Sequence, residues 1–311
     1  MPLNTNLLAG TAVAASLAAG AAQAITVGGA SMEMLDPPNV VDSNTLNNLG
    51  TSSIVNGVFD IVVNFDTTPT VSQQTAFDVA EAFWEANILG YRTPFLGTNV
   101  SQLTIDASFP SIDGAGGILG QVGAKTVTTD GGSGSGFMVS NTGIMEFDSA
   151  DAATLESNGT LDDVILHEMA HVMGFSDFFW DFAGATDGSG TDKTYTGPLG
   201  LQTYQSEFDP TASFVPVEED FGTGTAFAHW DEVLFNNHGT EFSNPELMTG
   251  FITIPNFVSD TTIASFSDIG YATRITNPMT PVPLPASGWL LITALSGWLM
   301  AGRRRKHGVA A

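Results

Sequence analysis

The chain has 311 residues, 43% of them hydrophobic and 13% charged, with 34 glycines, a formal net charge of −25 and no cysteine. Length and apolar content give ample core for one large domain or two lobes and exclude a disordered chain. The lack of cysteine excludes disulfides, thiolate metal ligands and a thiol-based latency switch, and the acidic surface excludes nucleic acid as a partner.

The charge is unevenly laid out. All 33 acidic residues fall between residues 25 and 280, with only Arg92, Lys125, Lys193 and Arg274 to balance them. Such a surface suits secretion, saline surroundings, or calcium binding by Asp-rich loops. Residues 1–24 form an Ala/Leu-rich run ending in Ala22-Gln23-Ala24, the pattern of a cleavable secretory signal, although no Lys or Arg precedes the run. Residues 25–54 are polar and predict a short, irregular leader.

Residues 57–65, "GVFDIVVNF", predict a strand, with β-branched residues and partial alternation. Residues 71–89 predict a helix with Ala76, Val79, Ala80, Phe83 and Trp84 on one stripe. A second strand is expected over 101–109, short strands and turns over the Gly-rich stretch 114–136, and another strand over 143–151. That last strand is expected to edge the substrate cleft and to pair with an extended substrate.

Residues 159–174, "GTLDDVILHEMAHVMG", read as a helix. Thr160 is its expected N-cap with Asp163 as a capping-box partner, Asp162 and Asp163 suit the positive end of the helix dipole, and Gly174 is a natural stop. His167 and His171 are four apart, so both imidazoles leave one face and can share one tetrahedral zinc. Glu168 between them is placed to take a proton from water and return it to a leaving amine. An H-E-x-x-H helix of this kind is the signature of a zinc hydrolase.

Residues 175–228 predict a long insertion of loops, and residues 261–271 a final helix with Ile263, Phe266 and Ile269 on one face. The Asp/Gly stretch "TDGSGTD" (186–192) is a candidate Ca2+ loop, without an EF-hand pattern. The expected fold is α+β, a twisted sheet packed against two helices, with lobes over 55–174 and 175–280 and the zinc helix between them.

A catalytic zinc needs a third protein ligand and an open position. With His167 and His171 used, the residues leave His229, His238 and Asp177 as candidates, while His307 lies in the tail. Asp177 sits ten residues after His167, where many metzincin proteases place their third ligand.

The tail over 281–311 carries Pro281, Pro283 and Pro285, an uncharged 17-residue run over 286–302, and Arg303, Arg304, Arg305 and Lys306. That order is expected to hold a membrane helix with its basic end in the cytoplasm. With "VPLPA" at 282–286 it closely resembles the PEP-CTERM sorting signals of Gram-negative bacteria. The resemblance implies recognition by a membrane exosortase, removal of the tail, and delivery to the cell surface, outer membrane or extracellular matrix.

The chain from about 55 to 272 resembles the leishmanolysin family of metzincin metallopeptidases. The likeness rests on His167-Glu168-x-x-His171-x-x-Gly174, "PSIDGAGGILGQVGA" (110–124), "AHWDEVLF" (228–235), "NPELMTGF" (244–251) and "TTIASFSDIGY" (261–271). It implies a zinc metalloendopeptidase with His229 as third ligand after a long insertion and Met248 as the methionine of a turn beneath the metal. The family's cysteine-based pro-region has no counterpart here. Two rival readings are a surface or matrix adhesion protein on a metzincin scaffold, which would have no use for Glu168, and a zinc hydrolase of non-peptide bonds.

Overall fold

The computed structural model describes residues 59–116, 118–219, 225–231, 246–250 and 256–275, together with the backbone of three short strands nearer the N-terminus. The chain divides into units Met1–Thr276 and Asn277–Ala311, and every described residue belongs to the first. The expected signal over 1–24, the tail with its membrane helix, His238 and His307 lie outside the described residues. Among the described residues no helix is long and apolar enough to cross a membrane.

The main sheet runs in the order β1 (Thr26–Val27), β2 (Ala30–Met34), β7 (Ile118–Asp130), β8 (Phe137–Phe147), β6 (Leu103–Ser108), β4 (Ile61–Phe65), with β3 (Asn39–Asp42) also on β7. Strands β4, β6 and β8 are parallel, and β7 runs antiparallel to β8. Three points differ from the sequence reading. The leader contributes three short strands rather than an irregular segment, and β2 and β3 lie parallel along the outer edge of β7. The Gly-rich stretch holds one 13-residue strand, because pairing on both sides sustains β7 through glycines that break its local pattern. The expected edge strand over 143–151 ends at Phe147, and as the second half of β8 it is paired over 143–146 by β6 on one side and β7 on the other, so that stretch offers no free edge.

Helix α1 (Val71–Asn87) begins with a reciprocal capping box: the Gln73 N–H donates to Thr70 Oγ1 at 3.1 Å, and the Thr70 N–H donates to Gln73 Oε1 at 2.9 Å. Its buried stripe is Gln73, Ala76, Phe77, Ala80, Trp84 and Asn87, whereas Val79 is half exposed. Phe77 thus takes the core place expected of Val79. β5 (Ile88–Tyr91) follows, and short α2 (Pro94–Asn99) leads into β6. After β8, Asp148 caps α3 (Ser149–Asn158), and α4 (Leu161–Met173) packs between α1 and the β7–β8 pair. The helix comes close to the sheet at Gly143, where a Cβ would stand 2.2 Å from Val172 Cγ1.

Beyond α4 the chain is more regular than its composition suggests. It forms α5 (Asp177–Ala183), the hairpin β9 (Thr186–Asp187) and β10 (Thr194–Tyr195), α6 (Pro198–Glu207), α7 (Asp260–Ile269) and β11 (Tyr271–Thr273). The start of α6 is capped from far away: Asp268 accepts the N–H groups of Leu199 and Gly200 and the hydroxyl of Tyr195. β11 pairs antiparallel with β5 and so ties the end of the unit to its first half. An aromatic cluster of Phe175, Trp180, Tyr195 and Trp230, with the two indoles stacked at 5.2 Å, joins the segments after α4 into one core. A mixed sheet with helices packed against it is compatible with the α+β class.

Candidate metal centre

Helix α4 is fixed along its length before any side chain on it does chemistry. Trp84 Nε1 donates to the Leu166 carbonyl at 3.0 Å. At the C-terminal end, where carbonyls lack helical partners, Ser140 Oγ donates to Val172 O at 2.6 Å and the Tyr271 hydroxyl donates to Met173 O at 2.9 Å. Gly174 ends the helix with φ of 120°, and the ring of Phe179 fills the space a Cβ would need. Thr160 is the N-cap but makes no side-chain cap bond. Asp163, expected to complete a capping box, instead accepts from Asn256 Nδ2 at 2.8 Å.

His167 and His171 project from α4, and His229 reaches the same point from an extended segment 58 residues beyond His171. That segment is held on two sides, by bridges from Trp230 to Val217 and to Thr249. The three Nε2 atoms lie 2.9, 3.1 and 3.2 Å apart. Each Nδ1 faces a backbone carbonyl: His167 that of Leu247 at 2.6 Å, His171 that of Phe175 at 2.7 Å, His229 that of Thr225 at 2.8 Å. A carbonyl can only accept, so each Nδ1 carries the proton.

In a neutral imidazole the other nitrogen is then a bare lone pair. Three lone pairs therefore meet with no proton between them. Burial makes the neutral form the stable one: it pushes His167 and His171 well below the ordinary histidine range, reinforced by the neighbouring rings, and His229 down to about 4. Three converging acceptors repel one another unless a cation joins them. A tetrahedral ion with bonds to nitrogen of about 2.0–2.1 Å spaces its ligands about 3.3–3.4 Å apart, close to the spacing here. The arrangement is that of three buried histidines positioned to hold one metal ion, and it is the one such group of His, Cys, Asp and Glu among the described residues.

Glu168 is buried beside His167 on α4, and neither carboxylate oxygen has a hydrogen-bond partner among the described residues. Burial alone pushes its pKa well above the carboxylate range. An unpartnered buried carboxylate is costly, by several kcal/mol or about that order, unless a ligand or cation completes it. Glu168 thus stands as a buried carboxylate without a partner on the same helix as two of the three histidines that could hold a metal ion.

Asp177 is not part of the cluster. At the first turn of α5 it pairs with Lys193 at 3.0 Å, and Lys193 also meets Asp181 at 2.8 Å. Positive charge beside the 186–192 loop is thus supplied by a lysine of the chain itself. Met248 is fully buried, and its carbonyl accepts the N–H of Trp230, the residue after His229. Missed by the sequence reading were the three carbonyls that orient the ligands and a buried carboxylate, Glu246, next to Leu247. The carbonyls carry no side-chain signal; Glu246 was visible as the acidic residue inside "NPELMTGF". No family model matches the sequence, and no curated protein matches it either.

Proposed function

We propose that the chain is an exported zinc metalloendopeptidase of metzincin fold. The observation that carries the proposal is the three-histidine cluster with protonated Nδ1 atoms, beside a buried carboxylate that has no partner of its own. Such a donor set of neutral imidazoles suits zinc, and leaves a fourth position for water or substrate.

Zinc, when bound, supplies Lewis acidity that lowers the pKa of water toward about 7 and polarises a carbonyl. The chain's own residues do the rest. His167, His171 and His229 present their lone pairs in a fixed direction because the carbonyls of Leu247, Phe175 and Thr225 hold the rings. Glu168 removes a proton from water as the oxygen attacks the scissile carbonyl carbon. It then delivers that proton to the amide nitrogen as the C–N bond breaks, so the carboxylate returns to its starting state. Burial of Glu168 keeps bulk water from competing for the proton. Met248 belongs to the turn beside the centre, as a soft apolar floor. In this reading the leader precedes the catalytic lobes, and the tail is recognised by an exosortase that sorts the protein to the cell surface.

The test is hydrolysis of casein by the zinc-loaded protein, with Glu168→Ala run at matched zinc content. Activity in the parent that is lost in the variant supports the proposal. Zinc bound in both and casein intact in both would sink it and leave the adhesion and non-peptide hydrolase readings.

A further inference from the structure

A buried acidic residue outside the histidine cluster links two of its three ligands. Glu246 is fully buried. Its Oε2 accepts the N–H of Met248 at 2.6 Å. Its Oε1 accepts the N–H of Ser259 at 3.0 Å, the Ser259 hydroxyl at 2.9 Å and the Thr262 hydroxyl at 2.7 Å. Burial pushes its pKa up, and the opposing pull of these donors from Ser259, Thr262 and Met248 offsets that rise only in part. One carboxylate therefore closes the 246–249 turn on itself and fastens it to the first turn of α7.

Two paths run from this carboxylate to the metal centre. The first goes through the turn: with the Met248 N–H tied back, the peptide between Leu247 and Met248 is fixed, and the Leu247 carbonyl is aimed at His167 Nδ1. The second goes through α7: the single Thr262 proton is committed to Glu246, so its lone pair faces the Trp230 indole and accepts Nε1–H at 2.8 Å. Trp230 follows His229, and its own N–H donates to Met248 O at 2.9 Å. A buried charge costs more than an apolar residue of equal size would, which makes a role in setting geometry the stronger reason for its presence.

We infer that Glu246 is a positioning residue that sets the orientation of His167 and His229 through the Leu247 carbonyl and the Thr262–Trp230 pair. The inference rests on the metal-centre reading but not on proteolysis. All four partners are donors, so the isosteric amide cannot replace the carboxylate: in either orientation the amide N–H2 meets an N–H or O–H head-on.

The experiment uses the full chain and compares wild type, Glu246→Gln and Asp148→Asn. Asp148 is also a fully buried carboxylate that accepts several backbone N–H groups, and among the described residues no hydrogen bond joins it to a histidine. Zinc affinity is read by competition with a chromogenic chelator, and ligand geometry by the visible bands of the cobalt(II)-substituted protein. Glu246→Gln is expected to weaken zinc about ten- to a hundredfold, the usual effect of losing a partner that orients a ligand, and to shift the cobalt bands. Asp148→Asn is expected to lower Tm and leave both readouts unchanged.

Unchanged affinity and bands in Glu246→Gln would overturn the inference alone. An equal loss in Asp148→Asn would also overturn it, since the effect would then be general destabilisation. No metal bound by wild type would remove the metal-centre reading and this inference with it. If Glu246→Gln does not fold, Thr262→Val cuts the second path only and is judged by the same two readouts.

Discussion

The Nδ1–H of His167 donates to the carbonyl oxygen of Leu247 across 2.6 Å, although 80 residues separate them. This bond does two things. It leaves His167 Nε2 as a lone pair aimed at the other two histidines, and it pins the chain after the insertion to the helix before it. The equivalent bonds on His171 and His229 go to carbonyls only four residues away. The long-range bond is therefore the one that makes the centre depend on the folding of the whole unit.

Metal removal should cost stability. An ion that binds only the folded chain adds about 2.7 kcal/mol when free metal is a hundredfold above Kd. Calorimetry with rising zinc should show Tm climbing, and a chelator should reverse it. A Tm indifferent to zinc would mean that the three lone pairs are not joined by an ion.

Replacing His229 by Ala removes one of three ligands, and zinc should fall well below one equivalent per chain. Asp177→Ala should retain it. That second change removes one of the two carboxylates on Lys193, Asp181 being the other, and leaves the three histidines untouched. Elemental analysis after dialysis decides between them, and zinc lost only in Asp177→Ala would invert the ligand assignment.

The helix bearing His167, Glu168 and His171 was legible because its chemistry and its 3.6 periodicity coincide in 13 residues. His229 was not legible from spacing: it comes to the cluster through backbone bridges to Val217 and Thr249, which no local pattern records. The residues left it as one candidate beside His238 and Asp177, and only a family resemblance singled it out. Helices α5 and α6 were read as loops because their stability is not local. The N-terminus of α6 is capped by Asp268, some 70 residues on, and α5 buries Trp180 in an aromatic cluster with Phe175, Tyr195 and Trp230 from three other segments. The capping box expected at Thr160 failed for a related reason, since Asn256 claims the Asp163 carboxylate.

Gly174→Ala and Gly159→Ala should differ although both glycines end helices at positive φ. At Gly159, φ is 67° and a Cβ would meet nothing within 4 Å, so only the backbone penalty of about 1–2 kcal/mol applies. At Gly174, φ is 120° and a Cβ would stand 2.7 Å from Phe179 Cδ1, which adds overpacking of about 1–3 kcal/mol. Denaturant midpoints should rank wild type, then Gly159→Ala, then Gly174→Ala. Gly174→Ala should also weaken zinc, because the Phe175 carbonyl that orients His171 is the next residue. Equal midpoints for the two variants would show that the Phe179 ring moves freely out of the way.

Asp148 gives the fold a defined acid limit. Burial raises its pKa, but the N–H groups of Gly114, Ala150, Ile112 and Asp113 outweigh burial and hold it at about 2, against 3.8 for the free residue. A carboxyl depressed on folding contributes stability that is full above the unfolded pKa and drains away as pH falls through the folded one. The Asp148 contribution should therefore be complete above about pH 5, mostly lost by about pH 2 and gone only near about pH 1. Tm measured against pH for wild type and Asp148→Asn, both with chelator present so that metal loss does not intrude, isolates it. The gap between the two curves should be constant near neutrality, narrow below about pH 5 and be mostly closed by about pH 2. A gap unchanged down to that limit would mean that the 112–114 backbone is not held by an ionised Asp148.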